Sequence, residues 1–171
     1  SAPHNGGLEG ITLFSDGLFF AVSERYRDAA GDYRAWLLPL EAAASPQQTT
    51  AATGRAVSIK PMPPFAMTDI RRLPGGDLLT LERRYSPAKG VGIQLRRIAG
   101  AAVYAASRAD KAKALDGEVV ANFDATYEID NMEGLAIRTG SNGETLVYAI
   151  SDDNFNRPVQ ATLLLMYELL P

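Results

Sequence analysis

The sequence predicts an all-β chain with a β-propeller-like arrangement of three antiparallel blades, on three observations. A hairpin pattern recurs three times, its marker acids Glu9, Asp69 and Glu133 spaced 60 and 64 residues apart. The apolar runs are short, rich in strand-favouring residues and bounded by Gly, Pro, Asn or Asp. Four such runs per unit of about 40–60 residues is the period of a propeller blade.

The first unit, about residues 7–60, contains Leu8–Ile11, a turn at Ser15-Asp16-Gly17, Leu18–Glu24, Ala35–Leu40 and Arg55–Ile59. The second, about 66–124, contains Thr68–Ile70, a turn at Pro74-Gly75-Gly76, Asp77–Arg83, Gly92–Ile98 and Glu118–Phe123. The third, about 130–171, contains Met132–Leu135, a turn at Ser141-Asn142-Gly143, Thr145–Asp152 and Thr162–Leu170, with no fourth run. Pro61-Met62-Pro63-Pro64 reads as a connector, because proline cannot donate to a sheet ladder. One helix is expected over about 107–115, with Ser107 and Asp110 as a capping pair.

Three blades cannot close a ring, since propellers use about four to eight. The chain, residues 1–171 as one unit, therefore reads as half of a six-bladed ring, closed by a second copy or by an N-terminal half. A plain antiparallel sandwich is the fold alternative.

Composition narrows the chemistry. With 17 Lys and Arg against 20 Asp and Glu, the net charge is -3, so no basic excess exists for a nucleic-acid backbone. The absence of cysteine removes disulfides, thiolate catalysis and thiolate metal sites. The one histidine, His4, falls in a terminal segment expected to fray, which removes a Ser–His–Asp triad. No Gly-x-Ser-x-Gly elbow and no Walker loop are present, and no apolar run reaches the roughly 18–20 residues of a membrane span. The opening Ser1-Ala2-Pro3 does not read as a signal peptide.

What remains is carboxylates and arginines. Hairpins centred between residues 16 and 17, 75 and 76, and 142 and 143 would pair Glu9 with Glu24, Asp69 with Glu82, and Glu133 with Asp152. Opposed like charges are unfavourable and ask for a counter-charge. In a propeller the first strands line the central channel, so these acids would gather at one mouth. A hard divalent cation such as Ca²⁺, held by six to eight oxygens, is one neutraliser. Arginine is the other, and Arg25 and Arg83 directly follow Glu24 and Glu82. The third unit instead reads Asp152-Asp153-Asn154, so Glu133, Asp152 and Asp153 are the expected cation ligands. The opposing reading has every acid serving structure, paired with arginine and backbone N–H.

Arg71-Arg72, Arg83-Arg84 and Arg96-Arg97 are not expected to form one basic patch, since neighbours on a strand face opposite ways. Trp36, Tyr33, Tyr85 and Phe155 read as blade packing or rim. Tyr26, Tyr85 and Phe155, each within three residues of a strand-end acid, read as a shared wedge.

Two motifs carry a resemblance: Asn131-Met132-Glu133-Gly134-Leu135 and Ser151-Asp152-Asp153-Asn154-Phe155-Asn156. With Gly7-Leu8-Glu9-Gly10 and the run from Asp69 through Leu79 to Tyr85, they make the chain resemble the bacterial phytase-like family described as esterase-like activity of phytase. The resemblance implies a propeller-like fold within a longer, often exported protein, of which this chain looks like the C-terminal half. A periplasmic or secreted location follows from it. The family name implies hydrolysis of a phosphate or carboxyl ester, and propeller phytases supply the analogy for calcium. A small anionic ester is then the expected substrate. Glu133, Asp152, Arg83 and Arg84 are the candidate catalytic residues, with the arginines as anion clamp. The alternative is a non-catalytic propeller that binds a ligand or partner.

Overall fold

The computed structural model describes residues 7–39, 54–110, 112–156 and 158–170. His4 and Leu40 lie outside the described residues. Three antiparallel sheets follow one another along the chain. The first orders β1 (Leu8–Leu13), β2 (Leu18–Arg27), β3 (Tyr33–Pro39) and β4 (Arg55–Ile59). The second orders β5 (Ala66–Arg72), β6 (Leu78–Ser86), β7 (Gly90–Ile98) and β8 (Glu118–Phe123). The third has three strands, β9 (Met132–Thr139), β10 (Thr145–Ser151) and β11 (Leu164–Leu169), with β10 in the middle. Sheets of four, four and three strands with one short helix among the described residues make this an all-β, propeller-like chain.

Each sheet opens with the same hairpin around the expected three-residue turn, but the hairpin is centred on a residue and not between two. Phe14 N–H donates to the Leu18 carbonyl at 2.7 Å, Leu73 to Asp77 at 2.7 Å, and Gly140 to Glu144 at 2.9 Å. The third loop residue is Gly17, Gly76 or Gly143, at φ of 78°, 98° and 88°. That left-handed position strains any residue with a Cβ, and it closes a turn whose twist suits the strands. The hairpin centres therefore fall on residues 16, 75 and 142, with Ile11 opposite Ala21, Ile70 opposite Thr80, and Leu135 opposite Ala149.

Two apolar cores join the sheets. One packs Phe20, Tyr33, Leu37 and Ile59 of the first sheet against Met67, Ile70, Leu78 and Ile98 of the second. The other packs Leu79, Leu81, Ile93 and Leu95 of the second against Met132, Leu135, Val147 and Ala149 of the third. The first strands also touch: Arg72 N–H donates to Thr12 Oγ1 at 2.9 Å, and Leu135 N–H to Asp69 Oδ2 at 2.8 Å. β1, β5 and β9 thus run side by side, as the innermost strands of adjacent blades do.

The helix, α1, spans Gly100–Arg108, not 107–115. Two contacts set its start. Gly100 N–H donates to Asp77 Oδ1 at 3.0 Å, and a Cβ on Gly100 would lie 2.2 Å from the Gly76 carbonyl oxygen. Ser107, expected as a cap, sits in the last turn with its hydroxyl donating to the Tyr104 carbonyl at 3.0 Å. Val103 buries into the first core beside Leu115, which bridges to Ile59 of β4.

Apolar side chains also collect on the two outward faces of the stack. On the first sheet, Ile11 and Leu13 are exposed, in register with Trp36 and Leu38. On the third, Ile150, Leu164 and Met166 are exposed.

Candidate functional site

The residue-centred hairpins shift every expected pair by one position, and a β-bulge then shifts the strand ends again. The bulge falls at Glu9 between Leu8 and Gly10, at Thr68 between Met67 and Asp69, and at Glu133 between Met132 and Gly134. Glu9 does not face Glu24, nor Glu133 Asp152. Asp69 lies opposite Leu81, and Glu82 opposite Met67. Counted from the bulge, Glu9, Thr68 and Glu133 are equivalent, and so are Glu24, Arg83 and Asp152. The acids of the second sheet belong to a different position from those of the other two.

That one-residue offset divides the acids into two groups. Asp69 and Glu82 point inward and serve structure. Glu82 is 1% exposed, and its Oε1 accepts from Arg96 Nε at 2.8 Å and also from Arg96 Nη2. Its Oε2 accepts from Gln94 Nε2 at 2.5 Å. Arg96 Nη1 continues to the Lys60 carbonyl at 3.0 Å, tying the second sheet to the connector from the first. Asp69 accepts from Arg71 Nη1 at 2.5 Å and from the backbone of Ile70 and Leu135. Burial raises its pKa above the ordinary carboxylate value, against the pull of those donors.

The second group, Glu24, Glu133 and Asp152, gathers near Arg83 at the strand ends. Arg83 occupies the position that carries Glu24 and Asp152 in the neighbouring sheets, and its Nη2 lies 3.2 Å from Glu133 Oε1. Its Nε is turned inward with no protein acceptor among the described residues. Burial pushes the Glu133 carboxyl up from its ordinary value. Arg83 and a hydrogen bond from Asn131 pull it down, while the negative charges of Glu24 and Asp152 push it up again. Glu24 is itself paired with Arg25 at 3.3 Å. One half-buried carboxyl thus sits between an arginine and two further acids drawn from three sheets.

Asn131 is the residue that sequence reasoning passed over. It is buried, its Nδ2 donates to the Asp152 carbonyl at 3.3 Å, and its own carbonyl accepts from Asp152 N–H at 3.0 Å. It thereby holds Glu133 and the end of β10 together. Its signal was its place in Asn131-Met132-Glu133-Gly134.

The other expected residues disperse. Arg84 faces away from Arg83, stacking 5.6 Å from the Phe65 ring and donating to the Gly90 carbonyl at 3.3 Å. Arg71 and Arg72, like Arg96 and Arg97, find separate partners: Arg72 reaches Ser15 and Arg97 reaches Asp77. Asp152 Oδ1 accepts from Asn154 N–H and Asp153 Oδ1 from Phe155 N–H, both at 2.9 Å. Asn154 and Phe155 both take positive φ, at 48° and 57°, and Phe155 is 98% exposed. The wedge expected of Tyr26, Tyr85 and Phe155 is therefore not shared. Tyr26 stacks on Trp36, whereas Tyr85 and Phe155 point into solvent. Tyr33 is core, its hydroxyl accepting from Met67 N–H at 2.9 Å.

Glu133, Asp152 and Asp153, the expected calcium ligands, each already have a protein partner. The ion wants six to eight oxygens. Here Glu133 faces a guanidinium, and one oxygen each of Asp152 and Asp153 is engaged by a loop amide. Among the described residues no group of three or more His, Asp or Glu is arranged to hold a metal ion.

The chain is thus an all-β protein of propeller-like sheets that brings Glu133, Arg83 and Asp152 together at the strand ends. The chain belongs to the phytase-like family described as esterase-like activity of phytase, whose family model matches residues 1–155. Membership supports a hydrolase-like function in general. No curated protein and no solved structure matches the chain. Among the described residues no helix is long and apolar enough to cross a membrane.

Proposed function

We propose that the chain is an ester or phosphoester hydrolase acting at the mouth, with Glu133 as general base and Arg83 as clamp for a small anionic ester. The observation that carries this is the half-buried Glu133, 3.2 Å from Arg83, its pKa raised from the ordinary value chiefly by burial. A carboxylate with a raised pKa takes a proton from water more readily, once ionised, than an ordinary one. An arginine beside it presents a planar fork to phosphate or carboxylate oxygens. Glu133 accepts a proton as water attacks the ester, then returns it to the departing alkoxide. Asp152 and Glu24 keep Glu133 basic, and Asn131 fixes its direction.

The test is turnover of chromogenic phosphate and carboxyl esters by the intact chain. Glu133→Gln is expected to lower kcat by about 10²–10⁴-fold, the usual worth of a general base. Its melting temperature should stay close to that of the parent. Arg83→Ala should raise KM chiefly for anionic esters. Absence of turnover with both ester classes overturns the reading.

Calcium assistance would need the Glu133 carboxylate to leave Arg83 for the ion. Calorimetric titration of Ca²⁺ into chelator-stripped protein is therefore expected to give no binding that Asp152→Asn removes. The partner reading is that a second copy or an N-terminal half covers the exposed apolar end faces and completes the ring. The periplasmic or secreted placement rests on family membership alone.

A further inference from the structure

The end of β6 carries a second basic centre. Neighbours on a strand face opposite ways, so Arg84 projects from the face of the second sheet that Arg83 leaves. The half-buried Arg84 is seated from three sides. It pairs in register with Gly92 of β7, and a Cβ on Gly92 would stand 2.7 Å from the Arg84 Cζ, so the missing side chain is the bed on which the guanidinium lies. Phe65 faces it at 5.6 Å, and Nη1 donates to the Gly90 carbonyl at 3.3 Å. A planar fork held this way is preorganised for an anion.

Lys89 adds a second cation. Its N–H donates to the Ser86 carbonyl at 3.2 Å and to the Ser86 hydroxyl at 3.1 Å, which fixes the turn between β6 and β7. Neither Arg84 nor Lys89 forms an ion pair among the described residues. Asp124 feels the Arg84 charge from a neighbouring hollow, but its Oδ1 is committed to the Thr126 N–H and hydroxyl, at 3.0 and 2.6 Å. The two cations border a cavity of about 390 Å³ whose other walls include Pro64, Phe65, Tyr85 and Ser86. Tyr85 is 67% exposed, an aromatic surface that the fold leaves uncovered.

In a chain of net charge -3, two cations without carboxylate partners beside two aromatic rings make a local site for an anion. We propose that this cavity binds a small dianion carrying an aromatic ring, of the aryl phosphate kind. The guanidinium fork takes two oxygens side by side, and the Lys89 ammonium takes a third as a point charge. Two cations match a dianion, whereas a carboxylate would leave one of them unmatched. The ring of the ligand packs on Tyr85, since Arg84 already lies over Phe65. The volume suits one ring and one headgroup, at the small end of the range for ligand pockets. The site is separate from Glu133 and Arg83, and the inference stands whether or not esters are hydrolysed there.

The probe is phenylphosphonate, which has no ester bond to hydrolyse, titrated calorimetrically into the full chain at a pH above its second ionisation. Saturable binding is expected. Benzoate lacks the second charge and methylphosphonate lacks the ring, and each should bind at least about tenfold more weakly. Lys89→Gln alters one exposed side chain and should weaken phenylphosphonate binding about tenfold. Gly92→Ala keeps both charges but lifts the guanidinium off its bed, and should weaken binding as much; Lys89→Gln decides the matter if that variant does not fold. Tyr85→Ala should bring phenylphosphonate down to the level of methylphosphonate, and Arg83→Ala should bind like the parent. No saturable binding at millimolar probe, equal binding of the three probes, or Lys89→Gln binding like the parent would overturn the proposal. So would loss of binding in Arg83→Ala, which would put the ligand beside Glu133 instead. Because binding is read without turnover, an inactive Glu133 leaves the result unaffected.

Discussion

Two glutamates at different positions of the repeat, Glu82 and Glu133, behave oppositely because of what surrounds them. Glu82 is sealed in the second sheet with Arg96, Gln94 and Thr80 around it. Removing one member of such a pair leaves a buried charge unmatched, so Arg96→Met is expected to cost about 3–5 kcal/mol in chemical denaturation. Replacing both partners with apolar residues of like volume should recover most of that loss. Glu133 is only half-buried, and its consequence is a pH profile. As a base it works ionised, so activity falls as pH drops through its raised pKa. The acid limb of kcat/KM should lie above the ordinary glutamate value of about 4.3. Arg83 pulls that pKa down, so Arg83→Met should move the limb to higher pH in whatever activity survives. A limb that stays put in Arg83→Met would show that Glu133 is not the titrating base.

At the level of elements, the docking of α1 depends on a carboxylate outside the helix. Asp77, just past the second hairpin loop, accepts from Gly100 N–H and from Arg97 Nε at 2.6 Å. The Gly100 hydrogen bond first, and Arg97 after it, hold its pKa below the ordinary value against the effect of burial. A depressed carboxylate stabilises the fold above its unfolded pKa and loses that contribution as pH falls through the folded one. Asp77→Ala should therefore cost about 1 kcal/mol at neutral pH, the usual value of a helix cap. The gap in stability between parent and variant should narrow as pH falls from the ordinary aspartate value of about 3.9 through the lower folded-state pKa. Gly100→Ala tests the same joint sterically. Its Cβ would meet the Gly76 backbone, and a loss of about 1–3 kcal/mol is expected from the forced shift.

For the molecule as a whole, the apolar residues left over at the ends of the stack make a prediction about association. Ile11 and Leu13 at one end, and Ile150, Leu164 and Met166 at the other, are spaced as if for another sheet. Light scattering after size exclusion should show the isolated chain self-associating, and Met166→Glu together with Leu13→Glu should return it to a monomer. A chain that stays monomeric at high concentration would leave the end faces for a different polypeptide.

The three hairpins, their turns and the all-β class were legible from residue order alone. Glycine at the third loop position and the alternation of apolar residues are local properties, and local properties are written in the chain. The split of the arginine doublets was legible for the same reason. The hairpin centre was read between two residues instead of on the middle one, because Ser-Asp-Gly and Ser-Asn-Gly suit either register. That shift of one pairing position, with the bulges, reassigned every expected carboxylate pair, since a strand has period two. The bulges at Glu9, Thr68 and Glu133 carry no sequence mark of their own, and the start of α1 depends on Asp77, some twenty residues away. Local sequence thus determined which elements form and which residues could do chemistry. Only tertiary packing decided which acids are sealed with arginine and which one, Glu133, is left half-buried beside Arg83, because burial and charge are set by neighbours distant in the chain.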